Sequence, residues 1–202
     1  MDQITKQVES YVISLYEKNQ FPALLFHSLS HTQQVVQHVE ELSSYYRLSP
    51  KDHFSVVVAA WFHDTGHLFS VVEGHEDISW KIAEEYLLPL DIEKIILRKI
   101  RACILATKMP THPRELIEKI ICDSDTYHLG TDAFIITDDL IKREMQLRED
   151  IDSSDWDSRT LTFLKSHQFH TDYCRQKLTD QKDENIRTIE RRIEKTQARN
   201  AK

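Results

Sequence analysis

The sequence predicts an all-α protein, and three observations carry the prediction. The 202 residues include three glycines and five prolines, few turn formers for that length. Apolar residues recur mostly at three- and four-residue spacing, the period of a helix with one buried face. No run alternates apolar and polar residues well enough to be a strand. A chain of this size can bury one substantial core, so a single domain over residues 1–175 with a helical extension over 176–202 is the expected organisation.

Taken in order, Ile4, Val8, Tyr11, Val12 and Leu15 predict a first helix to about Lys18, broken by Asn19 to Pro22. Phe21 to Leu29 is apolar but interrupted by Pro22 and His27, which suits a buried loop or short turn. Ser30 with Gln33 has the spacing of a capping box, and Val35, Val36, Val39 and Leu42 supply the core face behind it. Ser49-Pro50 signals the next start, and that helix is expected to run to Gly66 with His63-Asp64 in its last turn. Glu76 to Leu88 follows, stopped by Pro89. Asp91 is the expected cap of a helix using Ile92, Ile95, Ile96, Ile100 and Ile104, ending before Pro110. Leu116, Ile117, Ile120 and Ile121 carry another, which delivers Cys122-Asp123-Ser124-Asp125 toward Gly130.

Helical patterns return over Thr131–Leu147 and Asp157–Leu164, separated by an acidic stretch, Glu149 to Asp155, expected as an exposed loop. The charged tail keeps Leu178, Ile186, Ile189 and Ile193 as an apolar stripe, fit either to dock on the body or to pair with a second copy in a homodimer.

The net charge of −7 is spread without a basic face, which argues against an extended nucleic-acid surface while leaving a small phosphorylated ligand open. Three separated cysteines, Cys103, Cys122 and Cys174, without CxxC spacing, fit a reducing compartment better than a disulfide framework. The first residues lack the plan of a signal peptide and no apolar run reaches membrane-spanning length, so a cytoplasmic protein is expected.

Seven of the eleven histidines fall between residues 27 and 75. The densest part is Ala59-Ala60-Trp61-Phe62-His63-Asp64-Thr65-Gly66-His67, where an almost wholly apolar helix runs into groups that ionise or bind metal. Burying such groups is costly unless something pairs with them. A divalent cation suits adjacent imidazole and carboxylate. His31, His63, Asp64 and Asp125 each stand near the end of a predicted helix, and they meet if the helices pack as a bundle. The plainer readings are that His63 faces a helix C-terminus dipole, Asp64 caps a loop, and His31 is a polar first-turn residue. Asp123 competes with Asp125. Trp61-Phe62 reads as core packing. Lys108, just past an apolar helix, is either a phosphate contact or a solvated cation.

The order His31, then His63-Asp64 inside AAWFHDTGH, then Asp125 inside Asp-Ser-Asp-Thr-Tyr-His-Leu-Gly resembles the HD superfamily of metal-dependent phosphohydrolases, from about Phe26 to Gly130. The resemblance implies a multi-helical HD-domain bundle around one or two divalent ions, Mn, Mg, Fe or Zn. It favours Asp125 as the ligand, leaving Asp123 as support. Phe26-His27-Ser28-Leu29-Ser30-His31 is similar to the upstream segment of cyclic-nucleotide phosphodiesterases, where the first histidine protonates the leaving oxygen and the second binds metal. Those roles fall on His27 and His31. His67 matches the later histidine of the HDxxH segment, close to the metal-bound water, which Asp64 or Asp125 would orient. A second metal would draw on His67, His75 or Glu76.

The implied substrate is a small-molecule phosphoester of nucleotide type, a cyclic nucleotide foremost. Rival readings are a nucleotidase or alarmone hydrolase, a sensing module that has kept its ligands without turnover, and an HD-type iron oxygenase.

Overall fold

The computed structural model describes residues 1–69, 74–149 and 154–200, and among these it is all-α with no strand. The helices are α1 (Asp2–Lys18), α2 (Leu29–Tyr45), α3 (Pro50–Phe62), α4 (His75–Leu87), α5 (Lys94–Ala106), α6 (Leu116–Asp125), α7 (Phe134–Glu149), α8 (Trp156–Ser166) and α9 (Asp172–Asn200). Single 3-10 turns lie at Thr65–Leu68, Leu88–Leu90 and Tyr127–Gly130. The chain forms two compact units, Met1–Asp125 and Thr126–Lys202. No helix among the described residues is long and apolar enough to cross a membrane.

The first unit is built around α3. Ser49 caps it, accepting a hydrogen bond from the Asp52 N–H and returning one to the Asp52 carboxylate, and Pro50 opens its first turn. Every residue from Phe54 to Phe62 is buried, because α1, α2, α4, α5 and α6 all pack on it. A helix with no polar face is stable only when surrounded in this way. The neighbours turn in their own apolar stripes: Val8 and Val12 from α1, Val35, Val39 and Leu42 from α2, Ile96, Ile100 and Ile104 from α5, Ile117, Ile120 and Ile121 from α6.

Several boundaries depart from expectation for local reasons. Ser28, not Ser30, is the N-cap of α2, in extended conformation and without a side-chain cap; the Ser28 carbonyl closes the first turn by accepting from Thr32 N. Of the apolar loop before it only Phe26 is buried, and Phe21 is exposed. Helix α3 stops at Phe62, one turn before Gly66: the Thr65 hydroxyl donates to the Phe62 carbonyl and the chain tightens into a 3-10 turn. Glu93 occupies the N-cap position of α5. Asp91 instead ends the Leu88–Leu90 turn in the left-handed region, which aspartate tolerates, and Ile95 faces outward.

The second unit gathers α7, α8 and α9 with the Tyr127–Gly130 turn. The stripe on α9 docks on the unit's own elements, α8 and that turn, with Leu178 and Ile189 buried. The Asn185 amide donates to the carbonyls of Leu129 and Thr131, 2.9 Å each, and Gly130 lets α9 approach so closely that a Cβ there would lie 2.4 Å from that of Leu178. Of the expected acidic loop, residues 150–153 lie outside the described residues.

Candidate metal centre

Three helix ends of the first unit deliver the site. His31 stands in the first turn of α2, His63 caps the C-terminus of α3, Asp64 precedes the 3-10 turn, and Asp125 is the last residue of α6. One ligand atom from each of these four side chains lies within 4.8 Å of every other. His31 Nε2 is 3.0 Å from Asp125 Oδ1 and 3.4 Å from Asp64 Oδ2; His63 Nε2 is 3.2 Å from Asp64 Oδ2 and 3.5 Å from Asp125 Oδ1. Donor atoms bound to one small cation at about 2.0–2.2 Å stand roughly 3.0–3.5 Å apart when adjacent in its shell, so the spacing suits such an ion.

The hydrogen bonds point the same way. His63 Nδ1 lies 2.8 Å from the Ala60 carbonyl, an acceptor, so Nδ1 is protonated and Nε2 is the atom turned toward the carboxylates, open to a cation once its own proton leaves. Although buried, neither His63 Nε2 nor Asp64 Oδ2 has a hydrogen-bond partner among the described residues. Unpaired buried polar atoms are expensive, and two that face each other beside Asp125 fit a cation between them. The mixed nitrogen and oxygen set is compatible with Mn, Mg, Fe or Zn.

The electrostatics show a demand for positive charge. Burial works against charge on His63, but Asp64 and Asp125 outweigh it and hold its pKa well above the imidazole range. Burial likewise opposes ionisation of Asp64 and Asp125. The histidines nonetheless keep both well below the usual carboxylate range: His63, His27 and His67 for Asp64, and His31 and His63 for Asp125.

A second layer lies on the other side of Asp64. His27, Asp64 and His67 form another group whose ligand atoms lie within 4.8 Å of one another. Three imidazoles stack there, His67 between His27 at 4.1 Å and His75 at 3.8 Å, centroid to centroid. His75 Nε2 is 3.6 Å from Asp64 Oδ1 and 3.6 Å from Glu76 Oε1. Asp64 thus presents Oδ2 to the four-residue cluster and Oδ1 to His75.

Four candidates stay out of both groups: His75 and Glu76, which lie beside the second one, and Asp123 and Lys108. Asp123 is buried on α6 two positions from Asp125, which turns it to another face of the helix, and Lys108 is exposed beyond the end of α5. Two residues that sequence reasoning passed over hold the second layer in place. The Gly66 N–H donates to Ser79 Oγ at 2.8 Å, and a Cβ on Gly66 would lie 2.1 Å from the His75 carbonyl oxygen. A glycine three positions after the doublet's histidine was the available signal.

An all-α unit that turns two histidines and two aspartates onto one point defines a helical metal-binding domain. The HD domain family model matches residues 28–130, from the N-cap of α2 through the Tyr127–Gly130 turn, and the chain belongs to the HD family. Domains of this class are typically metal-dependent hydrolases. No curated protein and no solved structure matches the chain.

Proposed function

We propose that the protein hydrolyses a small-molecule phosphoester of nucleotide type, with a cyclic nucleotide as the first substrate to test, and that His31, His63, Asp64 and Asp125 hold its divalent ion. The convergence of those four side chains, two of them with buried unpaired atoms, is the observation that supports this reading. A bound divalent ion offsets the negative charge of the phosphoryl group and makes water acidic enough to attack near neutral pH.

The chain's own groups do the rest. Asp64, with one oxygen on each side, orients the attacking water and draws its proton toward the imidazole stack. His27 is half-buried at the end of that stack, within reach of solvent, and donates its Nε2 or Nδ1 proton to the departing alkoxide. His67, buried between His27 and His75, keeps the acid in place. The resemblance of Phe26 to His31 to cyclic-nucleotide phosphodiesterases supports His27 in this role.

The test combines elemental analysis of protein purified without chelator with chromatography of cyclic nucleotides, whose ring opening gives the nucleoside monophosphate, and phosphate release from linear nucleotides. About one or more ions per chain and turnover dependent on Mn, Mg or Fe is the expected result. His63→Ala and Asp64→Ala lose both metal and turnover. His27→Ala keeps its metal and slows by roughly 10²- to 10⁴-fold, the usual size of a general-acid contribution. An Asp64→Ala protein with full activity sinks the assignment.

A further inference from the structure

Glu76, which the sequence offers only as a candidate for a second metal, is a carboxylate that the proposed hydrolysis does not use. It lies in the first turn of α4 with only 5% of its surface exposed, and its Oε2 is buried with no hydrogen-bond partner among the described residues. An unpaired carboxylate oxygen in the interior is costly, and a surface-facing residue at the start of a helix would satisfy the dipole equally well. Its other oxygen faces His75 Nε2 at 3.6 Å, and the same nitrogen faces Asp64 Oδ1 at 3.6 Å. His75 Nε2 therefore stands between two buried carboxylates, 3.6 Å from each, and one of them belongs to the four-residue cluster.

The surrounding backbone makes this arrangement rigid. Gly66 packs its Cα against the His75 carbonyl with no room for a side chain and donates its N–H to Ser79, one turn into α4. The turn that follows His63-Asp64 is thus pinned to the turn that carries His75 and Glu76. The stack of His75 on His67 at 3.8 Å fixes the plane of the ring.

We propose that Glu76 is a positioning residue: it holds His75 against the outer oxygen of Asp64, and through His75 it sets the orientation in which Asp64 meets the cation. This rests on the metal-centre reading above. It assigns Glu76 and His75 to one unit that supports a ligand. Groups that hold a ligating carboxylate from its far side typically cost 10- to 100-fold in metal affinity when lost, and His75 with Glu76 occupies that place beside Asp64.

The experiment is titration of the metal-free full chain with Mn²⁺, followed by calorimetry, at a temperature where circular dichroism shows every variant folded. Glu76→Ala is expected to weaken Mn²⁺ binding by 10- to 100-fold, with Glu76→Gln recovering part of the loss because its amide oxygen can still face His75. The double variant His75→Ala/Glu76→Ala is expected to bind no more weakly than the weaker single variant, since one acts through the other. Additive losses, or Mn²⁺ affinity in Glu76→Ala within threefold of the unaltered protein, overturn the proposal. Loss of turnover with unchanged affinity also overturns it, and moves Glu76 to the proton transfer itself. If the unaltered chain binds no Mn²⁺, the metal-centre reading falls first and this one with it.

Discussion

His31 Nε2 and Asp125 Oδ1 lie 3.0 Å apart although 94 residues separate them in the chain. One opens α2 and the other closes α6, and these helices pack directly on each other. The contact couples cation binding to the α2–α6 packing. His31→Ala and Asp125→Asn are therefore each expected to lower Mn²⁺ affinity by at least ~100-fold, more than a supporting residue would. Saturating metal, at about 100 times its dissociation constant, should stabilise the unaltered protein by about 2.7 kcal/mol. For a chain of this size that is a rise in Tm of roughly 5–11 °C, absent in both variants. Scanning calorimetry with and without Mn²⁺ measures it.

Protons and metal compete for the same atoms. With its pKa held well above the ordinary value, His63 contributes stability to the metal-free protein that is complete below about pH 6.5 and lost as pH rises through the folded-state pKa. Asp64 and Asp125, held low, contribute stability present above about pH 4 and lost as pH falls through theirs. Binding a cation requires the His63 proton to leave. Metal affinity should rise with pH above neutrality, and calorimetry in buffers of different ionisation enthalpy should detect proton release. Affinity that is flat from pH 6 to 9 contradicts the assignment of His63.

Gly66→Ala is expected to cost roughly 3 kcal/mol, at the upper end of overpacking, because the new methyl meets backbone at His75 and not a side chain that can swing away. Urea denaturation checks the figure. A neutral result would mean that α4 can shift outward at no cost.

Asp138, in α7, accepts hydrogen bonds from Trp156 Nε1 at 3.0 Å and from Thr160 Oγ1 at 2.9 Å, both on α8. Burial nevertheless pushes its pKa up, against the pull of Thr160 and Trp156. An acid raised in the folded state is a burden above its folded pKa, relieved as pH falls through that value. Asp138→Asn, which keeps an accepting oxygen, should match or exceed the parent at pH 7 and lose that advantage near pH 4. Asp138→Ala, which strands both donors, should cost about 1–3 kcal/mol at either pH.

The convergence of His31, His63, Asp64 and Asp125 and most of the fold were legible in the sequence because they obey local rules. The apolar run Val56–Phe62 could only be an internal helix, and ionisable groups at its end need partners. Val35 and Val39, or Ile96, Ile100 and Ile104, mark a buried face by spacing alone. What could not be read depends on contacts across space. The end of α3 is decided by the Thr65 hydroxyl and by α4 pressing on Gly66, the start of α5 by the left-handed turn at Asp91, and the meeting of His27, His67 and His75 by ring stacking between three segments. By residue type alone Asp123 competes with Asp125, and only the family resemblance favours Asp125. The pitch of α6 separates them.

The enclosure of Phe54–Phe62 means that the most buried stretch of the first unit is also the mount for His63 and Asp64. Small changes of volume there will be transmitted along a stiff rod to the end that carries these two residues. A Val57→Ala or Ala60→Gly protein should therefore lose stability and Mn²⁺ affinity together, the first as a lower melting temperature. The interior of this unit is constrained twice, by its own packing and by what stands at the end of α3.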